Sequence, residues 1–570
     1  MHDSRSSDRK LHLGWISAAV CALLTGLFLV QLLGPSPAII ASQETTYITE
    51  PLRTNGLPDY EAYWRQQASV GITPENNAAP LIWKALWPGE LSEQHWLPLC
   101  AALDMDRIPD PKAALIEPYD DSITKQVALN LAKSFAESAG DENQAIDYSG
   151  ADWQSLLNSG KADDAIMAAS TRPWSSNQLP TLARWVKDNQ QPLDLLVEAS
   201  KRPRYYSPSP SMLNNSEDLL LAMLLPEIQM MRSAARSLPI RAMWLLSDGR
   251  SLDAWSDLLA CHRLARLTAE NNTLVGQLVA MAIEGIACRS TNVLLHHGNL
   301  SAAEARQILA DLNSLGPASF CARAIDQGER LTFLDAVLYF ATGEADAADF
   351  LGTPSEPLHA LSFARINWNS ALRAGNTWYD RMAAAVKIPQ REERLAALDQ
   401  IDFDLAQLFQ QTNSPSNVLG GLFSQQRRSE IVGNLLMGLL LPASRAAINA
   451  ADRTHVQFTL TKLASALAVY RAEQGEYPAQ LSDLSPRVTE GIPPDIYSGK
   501  PLLYQRQNDG GYLLYSVFEN EIDDNGTDMG GEIIDGEWVE EQPEDFDYSE
   551  SDIVIRVPMP EFKFPAPPTR

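Results

Sequence analysis

The chain has 570 residues, with 45 Lys and Arg against 72 Asp and Glu, for a formal net charge of −27. That balance repels a phosphate backbone and leaves no general basis for nucleic-acid binding. Hydrophobic residues at 45% and charged residues at 21% are ordinary for globular protein, which excludes wholesale disorder, a collagen-like chain and a polytopic membrane bundle.

The N-terminus departs from that average. No Lys, Arg, Asp or Glu occurs from Leu11 to Gln43, and residues 13–33 form an apolar run broken only by Ser17, Thr25 and Gln31. As a helix the run reaches about 31 Å, the thickness of a hydrocarbon core. Arg5, Arg9 and Lys10 precede it, and the next basic residue is Arg53. The positive-inside rule therefore predicts a cytoplasmic tail over 1–12, a transmembrane helix over 13–33 and an extracytoplasmic remainder. The competing reading is a cleaved signal peptide with Ser36 and Ala38 near the cut. Its apolar core would be unusually long, since signal cores run to about 7–15 residues. The uncleaved anchor is the preferred expectation, with inner-membrane lipid contacted through one N-terminal helix.

Residues 34–58 are rich in turn formers and lack an apolar period, which predicts a stalk. From 59 to 410, helical signals dominate. Thr73-Pro74-Glu75 reads as a capped helix start ahead of Leu81, Ile82 and Leu86. Leu252, Trp255, Leu258 and Leu259 begin another helix after the Asp248-Gly249 turn. Val275, Leu278, Val279, Ala282, Ile283 and Ile286 trace one apolar stripe, which predicts a buried face. Ser301 and Glu304 match a capping box before Ile308, Leu309 and Leu312, and Trp368, Leu372, Tyr379 and Met382 recur at helical intervals.

The stretch Gln411 to Gly421 concentrates Asn, Ser, Pro and Gly and predicts a boundary, so 411–444 reads as linker plus apolar helix. Residues 445–570 read as a separate module. A helix from about Ala450 to Ala472 carries Val456, Leu460, Leu463, Leu467 and Tyr470 on one face, before the breakers Gly475 and Pro478. Strand-like runs follow at Leu502 to Arg506, Tyr512 to Phe518 and Ile553 to Val557, the first two joined by Asn508-Asp509-Gly510-Gly511, a hairpin signal. The expected fold class is mainly α: a single transmembrane helix, a large extracytoplasmic helical domain and a small C-terminal α+β module, helix on antiparallel sheet.

The helix reading RTHVQFTLTKLASALAVYRAEQGEYP, followed by DIYSGKPLLYQ, GYLLYSV and an acidic Gly-containing stretch, resembles the globular part of type II secretion major pseudopilins and, more broadly, type IV pilin-like proteins. The upstream NLLMGLLLPASRAAINAADR is similar to the lower part of a pilin helix. No prepilin peptidase site or N-terminal placement accompanies it, so the resemblance implies the fold of the globular part and not polymerisation. Together with the anchor and WNSALRAGNTWYDRMAAAVK, the arrangement is similar to a group of N-terminally anchored bacterial membrane proteins.

The acidic stretch is the sharpest chemical feature. Sixteen carboxylates lie from Asp509 to Asp552, with no basic residue between Arg506 and Arg556. Hard oxygens on a Gly-containing loop suit Ca²⁺, which takes six to eight of them. Glu521, Asp523, Asn525, Gly526 and Glu532 fall at EF-hand-like positions one, three, five, six and twelve, without a helix after Glu532. Major pseudopilins bind Ca²⁺ in a loop after the sheet, and the resemblance implies Asp523, Asp524, Asp528 and Asp552 as ligands in a structural role. A solvated acidic loop that binds nothing is the plainer alternative.

Other motifs are weaker. Ser122-Ile123-Thr124-Lys125 matches S-x-x-K without a K-T-G partner, and no nucleophile elbow, P-loop or dinucleotide fingerprint is present. Asp253 and Asp257 share a helix face and read as exposed carboxylates beside Arg250 and Arg263. His296-His297 before Gly298 read as imidazoles that suit the carbonyl dipole of a helix C-terminus, capping in preference to metal binding, and His262 as a satisfied residue on a packed helix. Cys261 and Cys288 could meet across two helices, although buried free thiols are the commoner fate. Trp83, Trp87, Trp96, Trp153, Trp174 and Trp185 read as core in preference to carbohydrate platforms. The resulting expectation is a non-catalytic scaffold that binds other envelope proteins. The alternatives are an accessory subunit of a secretion or pilus-like machine, and an envelope hydrolase whose residues converge without a local motif.

Overall fold

A computed structural model describes residues 25–26, 34–87, 93–105, 109–138, 160–208, 220–317, 321–343, 365–412, 420, 424–440, 443–527, 532–534, 537–539 and 551–559. The chain is mainly helical, with a three-stranded antiparallel sheet near its C-terminus. The predicted membrane span over 13–33 lies outside the described residues apart from Thr25 and Gly26, which are helical. Among the described residues, only the Leu274–His297 helix is long and apolar enough to cross a bilayer, and its buried faces make it a core helix.

Two compact units divide the chain. One comprises 1–68, 217–222 and 322–446, and the other 69–216, 223–321 and 447–570. The segment 59–410, read from sequence as one domain, is thus shared between both. The boundary expected at Gln411 to Gly421 falls largely outside the described residues.

In the larger unit, the Ser251–Ala269 and Leu274–His297 helices pack as a hairpin. Thr273 caps the second helix, its hydroxyl accepting the Gly276 N–H at 3.0 Å. The apolar stripe predicted for this helix is only partly the buried one: Val279 and Ile283 are buried, but Leu278 is 38% exposed. The inward face instead carries Gln277, Glu284 and Thr291, each 0% exposed and spaced by sevens. Two turns of helix return nearly to the same azimuth, so these three share one face. The Ser301–Glu304 capping box forms as expected. The helix start expected at Thr73 does not. There Asn76 folds back, accepting the Thr73 N–H at 2.8 Å and donating to the Gly71 carbonyl at 2.8 Å, and the helix begins only at Ala79.

The Ala443–Gln474 helix ends at Gly475, whose φ of 84° needs no Cβ. The strands follow as β1 (Leu503–Arg506), β2 (Tyr512–Ser516), β3 (Glu532–Ile534), β4 (Glu537–Val539) and β5 (Ile553–Val557). The main sheet has the order β1-β2-β5 with Tyr512 opposite Arg506 and Val557, while β3 and β4 pair separately. The Gly510-Gly511 turn forms as predicted, and a Cβ at Gly511 would meet the Val557 carbonyl oxygen at 1.9 Å. All five residues of β2 are buried. Such a strand needs cover on both faces, which one helix cannot supply. Accordingly Leu514, Ile555, Leu460 and Leu467 share one continuous core with Trp255, Leu258 and Leu294 from the helical hairpin. The 445–570 segment is therefore built into the larger unit.

The smaller unit corrects the stalk. Thr45, Thr46, Ile48 and Tyr60 are buried, and the chain from Ser36 onward lies as a strap on the Trp368–Val386 helix. Asn369 accepts the Ile40 N–H at 2.9 Å and donates to the Ala38 carbonyl at 2.9 Å. Asn376, one heptad on, donates to the Thr45 carbonyl at 2.8 Å, and the Tyr60 hydroxyl donates to the Thr46 carbonyl at 2.8 Å. Buried backbone without a ladder partner must be satisfied by side chains, and the two asparagines do this.

Candidate metal centre

The loop after β2 gathers the acidic side chains. The Tyr515 hydroxyl and the Asn525 N–H both donate to Asp523 Oδ1, at 2.9 and 3.0 Å. Asn520 Nδ2 donates to Asp524 Oδ2 at 2.8 Å. The chain then reverses through Asn525 and Gly526, with φ of 58° and 75°. A Cβ at Gly526 would also come within 2.7 Å of Leu513, so glycine is required there by both backbone and space. The Gly526 N–H donates to Asp552 Oδ2 at 2.8 Å, and the Asp552 N–H to the Thr527 carbonyl at 2.7 Å, tying the loop to the start of β5.

Asp552 is 0% exposed, and its Oδ1 has no hydrogen-bond partner among the described residues. Burial pushes this carboxyl up to about 6, the charges of Asp524 and Asp523 add to the rise, and the backbone N–H groups of Gly526 and Asp524 oppose it. Of the four expected ligands, the loop brings Asp523, Asp524 and Asp552 together, whereas Asp528 lies outside the described residues. Glu532 sits on β3 instead of on a helix, and Glu521 is exposed. The donors are hard oxygens, and a buried carboxylate oxygen without a donor is what a hard cation satisfies, so the chemistry fits Ca²⁺. The described carboxylates are not drawn in to ligand spacing around one point.

Among the described residues, three ligand types come within 4.8 Å of one another only at His262, Glu284 and Cys288. These positions are already committed. His262 Nδ1 lies 3.0 Å from Glu284 Oε1, and its Nε2 lies 3.0 Å from the Thr291 hydroxyl. Arg266 donates to the other Glu284 oxygen and lies over the Phe458 ring at 4.8 Å. Burial alone would raise Glu284, but His262 and Arg266 outweigh it and hold the carboxyl below the usual range. Burial pushes the Cys288 thiol well up, which disfavours the thiolate a metal needs. A guanidinium already stands where a cation would go, so this cluster is an internal ion-pair network. Cys261 and Cys288 are free and buried.

Asp257 corrects the expectation of exposure. It is 2% exposed and gripped by Arg241 Nε and Nη2 at 2.9 and 2.7 Å, while Arg241 Nη1 reaches Asp194 at 2.6 Å. Asp253 does pair with Arg250 at the surface, at 2.8 Å. The charge state of His296 follows from its surroundings. Burial, then His297 and Arg471, lower it to about 4, so it meets the helix end as neutral imidazole and not as a cation. Ser122 and Lys125 bond to Asp120 and Asp121 at the start of the Asp121–Ser138 helix, a capping arrangement. Trp83, Trp87, Trp174 and Trp185 are core residues, and Trp153 lies outside the described residues.

Arg330 escaped the sequence reading. It is 1% exposed, follows a π-helical turn at Ala324–Glu329, and bonds to Asp326 and Asp380 at 2.7 Å each. Its guanidinium lies 4.4 Å from the ring centre of Tyr47, whose φ is 62°. The arrangement clasps the strap to the helices beneath it. For Glu284 the available signal was a charged residue inside an otherwise apolar helical stretch; Arg330 follows Asp326, Gln327 and Glu329 and carries no such mark. No protein-family model matches the chain, and no curated protein or solved structure matches it either.

Proposed function

We propose that the chain is a single-pass, extracytoplasmic scaffold of the inner membrane that binds other envelope proteins without catalysing a reaction. The observation that carries this reading is the commitment to one another of the buried titratable groups in and beside the helical hairpin. His262, Glu284, Arg266, Asp257 and Arg241 are tied in internal pairs, whereas a catalytic base needs a free lone pair facing substrate. A cleft of about 320 Å³ between Asn130, Lys133, Asn177, Gln178 and Thr181 includes none of them. The strap supports the anchored reading, since it begins at Ser36, three residues after the apolar run.

Ca²⁺ belongs to the proposal as a structural ion at the β2–β5 loop, held by Asp552 with Asp523, Asp524 and Asp528. The long helix against the β1-β2-β5 sheet favours a second reading, an accessory subunit of a secretion or pilus-like machine. Carbonate extraction of membranes combined with a C-terminal topology reporter tests the first reading. Retention with an extracytoplasmic reporter is expected, and a cytosolic or freely soluble product would overturn it. Crosslinking in intact cells, with partners identified by mass, separates the two readings. Pilin or secretion components would favour the second.

A further inference from the structure

A cleft of about 320 Å³ in the larger unit is lined by residues of neither the acidic loop nor the ion-pair network. It opens between the Asp121–Ser138 helix and the start of the Pro180–Asp188 helix. Leu131, Leu179 and Leu182 form an apolar floor that belongs to the core, and Asn130, Lys133, Asn177, Gln178 and Thr181 form a polar rim. The turn that carries Asn177 and Gln178 is fixed from below. Trp174 is 0% exposed and donates to the Ala169 carbonyl at 3.0 Å, Trp244 Nε1 donates to the Ser176 hydroxyl at 3.0 Å, and the Gln178 N–H donates to the Ser175 carbonyl at 3.0 Å. A rim held in this way needs little further ordering when a ligand arrives.

The hydrogen-bonding capacity of the rim is only partly used. Gln178 Oε1 accepts the Ser175 N–H and hydroxyl at 2.7 and 3.0 Å, which leaves Gln178 Nε2 as a donor. Asn130 Nδ2 donates to the Thr181 hydroxyl at 2.6 Å, which leaves Asn130 Oδ1 as an acceptor. Among the described residues, Asn177 and Lys133 have no hydrogen-bond or ion-pair partner, and Lys133 is the only ionisable residue of the lining. Lys133 stands one helical turn beyond Asn130, on the same face. An acceptor beside amide donors matches a peptide group, which offers one N–H and one carbonyl, and the ammonium matches a carboxylate. Asn369 already treats the strap in this way, accepting one main-chain N–H and donating to a main-chain carbonyl. At about 320 Å³ the cleft lies at the small end of ligand sites, about 300–1,000 Å³, which suits a chain end and not a segment running through.

We propose that this cleft binds the free C-terminus of a partner polypeptide that ends in an apolar residue. The terminal carboxylate meets Lys133, the last peptide group sits between Asn130 and the turn at Asn177 and Gln178, and the terminal side chain covers the leucine floor. This rests on the protein-binding reading above and names the chemistry by which a partner is held.

The test melts the full-length protein in neutral detergent during titration with N-acetyl-alanyl-leucine, its C-terminal amide, or hexanoate, which carries the carboxylate without a peptide group. Saturable stabilisation by the free acid is expected, with about tenfold weaker binding of the amide and of hexanoate. Lys133→Gln should weaken the free acid about tenfold and leave it bound no better than the amide, whereas Lys133→Arg keeps the preference. Asn177→Ala should weaken acid and amide alike, by about fourfold. Lys133 and Asn177 are both exposed, so these changes leave the core intact. Absence of saturation by about 10 mM, equal binding of acid and amide, or a preference that survives in Lys133→Gln would overturn the site. Hexanoate bound as tightly as the dipeptide would overturn a peptide as its ligand. Envelope partners crosslinked normally by a chain that ignores the dipeptide would overturn the cleft alone, whereas a chain that binds the dipeptide but crosslinks to nothing would overturn the scaffold reading alone.

Discussion

Two buried carboxylates in the larger unit, Glu284 in the helical hairpin and Asp552 in the acidic loop, are each 0% exposed yet shifted in opposite directions. Glu284 has both oxygens occupied by cationic or imidazole donors, so its neighbours outweigh the penalty of burial. Asp552 has only backbone N–H groups of Gly526 and Asp524 as donors, an Oδ1 without a hydrogen-bond partner among the described residues, and two further acids nearby. Burial therefore wins. The difference teaches that exposure alone says little about a buried charge, because the partners decide whether the fold holds it ionised. It also separates a finished network from an unfinished one, and the unfinished one is where a ligand adds most.

The strongest way to break the comparison is to open the finished network. Glu284→Ala leaves Arg266 and His262 buried without their counterpart and is expected to cost about 3–5 kcal/mol in denaturant unfolding. A loss near 1 kcal/mol would mean that solvent reaches the network. Next comes the pH dependence of Asp552. Its folded-state value of about 6 lies above the unfolded 3.8, so the native state binds the proton more tightly. This contribution is present below about pH 4 and lost as pH rises through about 6, with a limiting size of about 2–3 kcal/mol. In chelator, the wild-type chain should therefore lose stability across that window relative to Asp552→Asn. Parallel pH profiles would show that Asp552 is already neutralised by other means.

A smaller effect probes the same rule with uncharged groups. Asn376→Ala removes the donor to the buried Thr45 carbonyl and should lower stability by about 1–2 kcal/mol, with faster proteolysis within residues 36–60. A strap that stays equally resistant would show that its apolar contacts suffice. Ser301→Ala gives the calibration at an exposed position, since it removes only the capping box. About 1 kcal/mol is expected.

Much of the fold is legible where a local rule acts alone. The capping box, the Gly510-Gly511 hairpin and the core positions of the Ala443–Gln474 helix all depend on neighbours a few residues away. The failures share one cause, a partner distant in sequence. Leu278 was read as buried because hydropathy alone ranked the faces of its helix, but His262, Arg266 and Ala269 from the preceding helix accept a polar face with Gln277, Glu284 and Thr291. The strap looked like a spacer because no periodic pattern marks backbone that side chains satisfy from 331 residues away. The acidic loop was visible as composition, whereas the isolation of one Asp552 oxygen depends on the meeting of Gly526 with β5.

The central claim is that the spare oxygen of Asp552 marks a cation site. Melting the full-length protein in chelator and again in 1 mM Ca²⁺ tests it most directly, with Asp552→Asn beside it. A site of extracellular strength, with a dissociation constant of about 10⁻⁴ to 10⁻³ M, predicts stabilisation by about 1 kcal/mol, a rise of about 2–4 °C, in the wild type and none in the variant. Identical melting of the wild type with and without Ca²⁺, or an equal shift in Asp552→Asn, would contradict it.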